Sequence, residues 1–462
     1  MKSATINIKE IEVNGNIIKP TYHLNIGKLR ISASNKNGVK SRTLKDVTSD
    51  VFTGGIFKRV FIENSEFGIP YISAQHMMHF NPRGEAKIIS KKYTPRVSEM
   101  TLTEGQILVS CAGSPGSIGN IRYISKDMNG LLGSQDIIRV MPDEAKLPAG
   151  FLYAYLASST IYNYIQSYIY GSVIPRIEPK TLSKLPILDF PKKLIANVDE
   201  LIKQSNELRA KANLDLAKAQ QILEDNIFEK SQEKYYSTKF MSSSKLLSGF
   251  NKRIDANFHI YKTQIEQRFR KSIKKVPLVD LVKTPMYTAQ RGKRNYVTNG
   301  IQFLSTGDIS EINPLLVNKF LSWQTDGLKT LIVNDNWILV ASSGSEILGS
   351  AFLVDQTFDK SAVNQHSIRV IIDESKISPL YVFAYLSCNK IKDYVRSGIY
   401  GSAILTINET FLGTIDVPIL GEENSKTIIE LAQSFKTKKQ KASFLEKEAI
   451  DLIENQIESW QK

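Results

Sequence analysis

Gly68-Ile69-Pro70-Tyr71-Ile72-Ser73 returns later in the chain as Gly300-Ile301-Gln302-Phe303-Leu304-Ser305. Ile107-Leu108-Val109-Ser110 returns as Ile338-Leu339-Val340-Ala341, and Ile138-Arg139-Val140 as Ile368-Arg369-Val370. Tyr153-Ala154-Tyr155-Leu156 returns as Phe383-Ala384-Tyr385-Leu386, and Ile169-Tyr170-Gly171-Ser172 as Ile399-Tyr400-Gly401-Ser402. The order never changes, and the offset stays near ~230 residues, far too long a period for a solenoid repeat. The chain is read as a tandem duplication of a whole domain. Two copies of one domain can offer two similar surfaces to two similar targets.

Working outward, each copy contains short apolar strands such as Gly105-Gln106-Ile107-Leu108-Val109-Ser110 and Ile137-Ile138-Arg139-Val140, interrupted by Gly, Pro, Ser and Asn turns. A helix is expected from about Ala149 to Ser167, with Phe151, Tyr155, Leu156 and Ile165 on its apolar face. That mixture predicts an α+β domain. Beyond Pro191 the texture changes. Val198, Leu201, Ser205, Leu208 and Ala212 alternate in spacings of three and four; a four-residue step to Leu216 breaks the phase, and Ala219 and Leu223 resume it. This predicts a long helix with a coiled-coil seam and one stutter. The chain ends in a second such run, Ile428, Leu431, Phe435, Lys438, Ala442, Leu445, Ala449 and Leu452, which keeps its heptad throughout. Four blocks follow: a first domain over 1–190, a spacer helix over 191–234, a second domain over 235–420 and a second spacer helix over 421–462. Each helix alone would expose an apolar stripe. The intervening domain returns the chain, so the two stripes are expected to meet as an antiparallel coiled coil, a rod of roughly 60 Å.

The chain's 462 residues exceed one ordinary core. No apolar run is long enough to span a bilayer and no apolar signal core follows Met1. With Cys111 and Cys388 its only cysteines, a cytoplasmic protein without a disulfide framework is expected. The net charge of +14 favours a polyanionic partner, and two equivalent modules suit two sites on one duplex.

The order of domain and helix, the duplication, and the Ile-Tyr-Gly-Ser turn ahead of Ile177-Glu178-Pro179 and Leu185-Pro186-Ile187 resemble the specificity subunit of type I restriction-modification systems. Arg253-Ile254-Asp255-Ala256-Asn257-Phe258 is similar to the stretch that often opens that family's target-recognition domains; the first copy offers Arg30-Ile31-Ser32-Ala33, which lacks the Asp. The resemblance implies two target-recognition domains, each reading half of a split double-stranded DNA site. It implies helices that dock two methyltransferase subunits, which motor-nuclease subunits join. S-adenosylmethionine, ATP and magnesium would belong to those partners, and this chain would hold no cofactor. The specificity subunit of a type IIB system, with nuclease and methyltransferase fused in the partner, fits the same residues.

The residues offer little chemistry of their own. Asn81-Pro82-Arg83 lacks the second Pro and the aromatic of an adenine methyltransferase site, and Gly344–Gly349 lacks the Lys of a P-loop. His76 and His79 have no Cys beside them for zinc, and Asp308 and Glu311 stand there in the second copy. Glu144-Ala145-Lys146 and Glu374-Ser375-Lys376 match the Glu-x-Lys of metal nucleases in both copies, which keeps a stand-alone nuclease as the alternative from another class; acidic turns entering a helix look the same. A coiled-coil scaffold that binds no DNA is a third reading.

The copies share their strands and differ in their loops, so the loops are the candidate DNA readers. Lys58 and Arg59 in one copy stand against Gln290, Arg291, Lys293 and Arg294 in the other; Arg suits guanine and Gln suits adenine. Gln75 and His76 stand against Thr306 and Asp308, and Lys91, Lys92 and Arg96 form a basic stretch around Tyr93. The Gly-rich turns 113–119 and 343–349 could offer backbone N–H groups to phosphate or could be tight strand connections. Tyr170 and Tyr400 are expected near the duplex backbone; being the same in both copies, they cannot set different base preferences.

Overall fold

Ile107-Leu108-Val109-Ser110 is buried at every position. An apolar, β-rich tetrapeptide of that kind belongs between two other strands, with both faces covered. A computed structural model of the chain places it so and describes residues 20–113, 116–171, 173, 175–229, 253–344 and 346–461. Met1 to Lys19, residues 230–252 with the expected boundary at 234/235, and Ser114, Pro115, Ser172, Ile174, Ser345 and Lys462 lie outside the described residues. The chain divides into two compact units, Met1–Ala210 with Lys441–Lys462, and Lys211–Gln440.

In the first unit the strands are β1 (Ser41–Thr43), β2 (Thr48–Thr53), β3 (Gly68–Ile72), β4 (Lys87–Ser90), β5 (Ile107–Ser110), β6 (Ile121–Tyr123), β7 (Leu132–Gly133), β8 (Ile137–Pro142) and β9 (Pro186–Leu188). They form a four-stranded sheet β2-β8-β5-β6, a three-stranded sheet β4-β3-β7 and the pair β1-β9. Only β3 and β7 run parallel; the other pairings are antiparallel. Helix α1 (Ile26–Lys36) packs on the domain, and α2 (Ala149–Ala157) and α3 (Ser159–Gln166) follow β8. The single helix expected over Ala149–Ser167 is two. Ser158 is extended, at ψ 147°, and its hydroxyl accepts from the Ile161 N–H, so it starts a new helix instead of continuing the old one. Helix α2 has no single apolar face, being buried from Ala149 through Leu156. Helix α4 (Lys192–Ile227) leaves the domain after β9.

The second unit repeats the plan. After α5 (Ala256–Arg268) come β10 (Lys275–Pro277), β11 (Tyr287–Thr288), β12 (Tyr296–Val297), β13 (Ile301–Leu304), β14 (Phe320–Leu321), β15 (Ile338–Ala341), β16 (Ala351–Leu353), β17 (Ala362–Val363), β18 (Ser367–Val370), α6 (Pro379–Leu386), α7 (Asn389–Ser397), β19 (Asp416–Pro418) and α8 (Glu422–Ser459). The sheets are β11-β18-β15-β16, β12-β14-β13-β17 and β10-β19, with β13 and β17 parallel. The repeated arginine explains why two sheets stay together in each unit. Buried Arg139 on β8 donates to the carbonyls of Met100, Gly133, Ser134 and Ile137. Buried Arg369 on β18 donates to those of Leu331, Val363, Asn364 and Ser367. Gly133 and Val363 belong to the neighbouring sheet, so each guanidinium pins one sheet to the other.

The Arg-Ile-Asp-Ala stretch has a different counterpart from the one expected. Asp255 caps α5, accepting from the Phe258 N–H, and grips Arg253 at 2.7 Å. The residue that caps α1 in the same way is Asn25, accepting from the Lys28 N–H. The counterpart is therefore His23-Leu24-Asn25-Ile26, whereas Arg30 lies inside α1 and reaches Thr160 and Glu454.

The two long helices contribute to both units. In the first, Ser205 donates to the Ala442 carbonyl, while Phe190, just ahead of α4, packs against Trp460 at the far end of α8. In the second, Asp215 accepts from Ser434 and Asn226 meets Asn424. Within each unit, then, one helix ascends as the other descends. The buried stripe also differs from the expected seam. On α4 it is Val198, Ile202, Ser205, Arg209, Ala212, Leu216, Ala219 and Leu223, and on α8 it is Ile428, Ala432, Phe435, Lys439, Ala442, Glu446, Ala449 and Ile453. Leu201, Leu208, Leu431, Lys438, Leu445 and Leu452 are half-buried beside it. With Ile202 and Arg209 in place the spacing alternates four and three without a break, so there is no stutter at Leu216. Among the described residues no helix is long and apolar enough to cross a membrane.

Candidate nucleic-acid interface

The loops that leave β2 and β11 can be matched residue by residue, because the strands before them have the same register. Phe52 pairs with Arg139 and Thr53 with Ile138; Tyr287 pairs with Arg369 and Thr288 with Ile368. At the far end, Ser90 N–H donates to the Val60 carbonyl, and Ser322 N–H to that of Asn295. Phe61 then meets Tyr71 edge-on at 6.2 Å, and Tyr296 meets Phe303 edge-on at 5.9 Å. The two loops are equally long. Lys58 and Arg59 occupy the positions of Lys293 and Arg294, Ile56 that of Arg291, and Gly55 that of Gln290.

Lys58 and Lys293 are exposed, whereas both arginines are half-buried. The Arg59 guanidinium lies 5.7 Å over the Tyr71 ring. Arg294 donates to the Gln290 carbonyl at 2.9 Å and to Gln365 at 3.3 Å. Ile56 is 82% exposed, and Gln290 and Arg291 are exposed. Gly55 is held by its surroundings: its N–H donates to Glu99, and a Cβ there would stand 2.0 Å from Arg96 Nη1. Arg96 has left-handed backbone, at φ 56°, and faces Glu99.

Other expected readers divide by burial. Gln75, Lys91 and Lys92 are exposed; Lys91 donates to the Glu66 carbonyl and Lys92 lies over Tyr93. Tyr170 and Tyr400 are about half exposed, Tyr170 donating to Glu178 at 2.7 Å. His76 and Thr306 are buried, at 4% and 3%, and so do not present their side chains to a duplex. Thr306 is occupied inside the fold by Asn364 and Ser367. Asp308 is a capping carboxylate, accepting from Ser305 N–H and hydroxyl and paired with Lys319.

The Gly-rich turns lie between β5 and β6 and between β15 and β16, and at their ends Gly119 N–H closes on the Ser110 carbonyl and Gly349 N–H on that of Ala341. In the Glu-x-Lys turns, Lys146 pairs with Asp143 and Lys376 with Asp373, and Glu144 accepts from the Ala149 N–H that opens α2. These are helix-entry contacts. Among the described residues no group of His, Cys, Asp or Glu is placed to hold a metal ion. Burial pushes the Cys111 thiol up to about 12 and the Cys388 thiol well above its ordinary value, leaving both as unreactive thiols.

Sequence reading missed the segment between β7 and β8 and its counterpart. Gln135 with Asp136, and Gln365 with His366, stand at matching places; Gln135 donates to Asp136, and Gln365 accepts from Arg294. Ser343 and Gln365 hydrogen-bond the His366 ring, and burial, then Arg291, lowers its pKa. The signal was a shared Gln followed by an unlike polar residue, just ahead of the repeated Ile-Arg-Val.

The family "Type I restriction modification DNA specificity domain" matches residues 36–193, which is the domain of the first unit. No curated protein matches the chain. The chain is similar to the S subunit of a type I restriction-modification system from M. genitalium, at 16% identity and TM-score 0.36, covering 90% of this chain and 95% of that one. It is similar to the HsdS subunit from Thermoanaerobacter tengcongensis at 12% identity and TM-score 0.28, covering 90% and 96%. A third similar chain comes from a structure described as the basis of complex assembly and conformational transition of the type I R-M system, at 12% identity and TM-score 0.28, covering 92% and 96%. Residues 36–193 are thus similar to the type I restriction modification DNA specificity domain.

Proposed function

We propose that the chain is the DNA-recognition subunit of a type I restriction-modification complex in the cytoplasm and reads a bipartite site, one half with each unit. The observation that carries this is the matched pair of basic loops, 53–60 and 288–295, set on sheets of the same register. Exposed lysines at equivalent positions supply an electrostatic hold that needs no particular sequence, and the unlike residues around them supply discrimination. Lys58, Arg59, Gln75, Lys91, Lys92, Arg96 and Tyr170 serve one half-site, and Gln290, Arg291, Lys293, Arg294 and Tyr400 the other. Helices α4 and α8 form an antiparallel coiled coil that separates the two recognition domains and docks two methyltransferase subunits. Motor-nuclease subunits join that core. S-adenosylmethionine, ATP and magnesium act on the partners, and the chain itself catalyses nothing.

The test is a domain exchange. Methylated sites are mapped for the complex, and residues 253–420 are then replaced by the same domain of a relative. One half-site alone changes. A contiguous target, or a change in both halves, overturns modular reading. Cleavage or methylation by the purified chain alone, lost on Glu144→Ala or Glu374→Ala, overturns its role as a pure recognition subunit.

A further inference from the structure

We infer that the position shared by Ile56 and Arg291 sets the difference in base preference between the two half-sites, while Lys58 and Lys293 perform one common task; this rests on the proposed DNA reading of these loops. Residues that are the same at matched positions cannot tell two half-sites apart. Lys58 matches Lys293 and Arg59 matches Arg294, which leaves these pairs the sequence-independent part. Arg59 lies over Tyr71, and Arg294 is tied to Gln290 and Gln365, so each holds the loop to its own domain. The lysines, exposed and two residues beyond the variable position, are free to meet phosphate.

The variable position itself differs as far as two side chains can. Ile56 is the second most exposed large apolar side chain among the described residues, at 82%, and no fold requirement calls for an isoleucine in water there. It has no hydrogen-bonding group, so its contribution to reading a base pair is apolar contact, for which the thymine methyl is the available partner. Arg291 offers the planar fork that fits guanine O6 and N7. A second matched position changes too, from Asp136, an acceptor, to His366, a ring near Arg291. One half-site thus meets a hydrocarbon at this position, and the other meets a donor fork near an imidazole.

The experiment uses the full-length chain with its methyltransferase subunits, selecting from a pool of duplexes of randomised sequence, with affinity measured against salt. Arg291→Ile is expected to change the base pair chosen at one position of one half-site by roughly ten- to a hundredfold, leaving the other half untouched. Ile56→Arg is expected to change one position of the opposite half-site. Lys58→Ala and Lys293→Ala are expected to weaken binding to all sequences alike and to lower the salt slope by about one each. If the lysine variants behave so while Arg291→Ile weakens every sequence equally or changes nothing, the assignment of specificity to this position is overturned and the DNA-binding loops stand. If the lysine variants change neither affinity nor slope, the loops do not face DNA, and the proposed interface falls with the inference. Circular dichroism of each variant establishes that it is folded.

Discussion

In the first unit Glu446, 1% exposed, accepts from the hydroxyl of Tyr153 and from Arg209 at 3.1 Å, and wholly buried Arg122 lies within their field. In the second unit the matching positions are Leu216, Phe383, Lys439 and Phe352. There Phe383 stacks on Phe435 at 5.7 Å, and Lys439 turns away to Asp355 on the loop after β16, at 2.9 Å. One packing problem, a domain set against its helices, is filled by an ionic cluster in one unit and largely by hydrocarbon in the other. The cluster holds two guanidinium groups against one carboxylate. Burial, then Arg209, lowers the Arg122 pKa to about 10, and burial, then Glu446, drives that of Tyr153 well up. A cluster of this kind fixes geometry more than it adds stability, because desolvation offsets much of the attraction.

The sharpest way to break the comparison is to remove the anion. Glu446→Ala leaves two buried cations without it and is expected to destabilise the first unit by about 3–5 kcal/mol, read by denaturant unfolding. Arg209→Met with Glu446→Leu replaces the ion pair by hydrocarbon, with leucine where the second unit has Leu216, and is expected to cost less. If the double variant were as damaging as the single one, the cluster would be essential for packing and not replaceable by hydrocarbon.

Arg139 and Arg369 are the contrasting case, a charged device kept the same in both units. Each guanidinium satisfies main-chain carbonyls of two sheets, so Arg139→Met and Arg369→Met each strand those carbonyls and are expected to cost on the order of 3 kcal/mol. Hydrogen exchange should show the loss confined to β2–β9 for the first variant and to β10–β19 for the second. Unequal losses would mean that one unit has another tie between its sheets.

These arginines show what the sequence discloses and what it conceals. The Ile-Arg-Val repeat marked β8 and β18 correctly because apolar neighbours surround each arginine. The seam was misplaced because hydropathy prefers Leu208 to Arg209 and Leu445 to Glu446, although the charged residues point inward and meet a partner far away in the chain. Likewise Asn25 was invisible as the match of Asp255, since capping depends on an oxygen and not on identity. The loop residues were legible as basic but not as exposed: His76 and Thr306 look like readers until burial is known. The corrected seam has its own test. Ala442 is fully buried and Leu445 half-buried, so Ala442→Asp is expected to cost about 2 kcal/mol and Leu445→Asp well under half of that. The reverse ranking by thermal unfolding would restore the leucine seam.

The smallest effect concerns Glu311, which occupies in the second unit the place of His79 in the first. Burial, then the nearby Asp308 carboxylate, raises the Glu311 pKa from 4.5 to about 7. The folded state therefore holds this proton more tightly than the unfolded chain does. Its stabilising contribution is complete below about pH 4.5 and is lost as the pH rises to about 7. Across that window the second unit is expected to lose on the order of 2 kcal/mol from this group. Glu311→Gln keeps a neutral side chain of the same shape at every pH and should flatten the second unit's dependence while leaving the first unit's unchanged. Unfolding monitored by hydrogen exchange in each unit, at several pH values between 4 and 8, separates the two. An unaltered pH profile in the Glu311→Gln protein would show that another group carries the dependence.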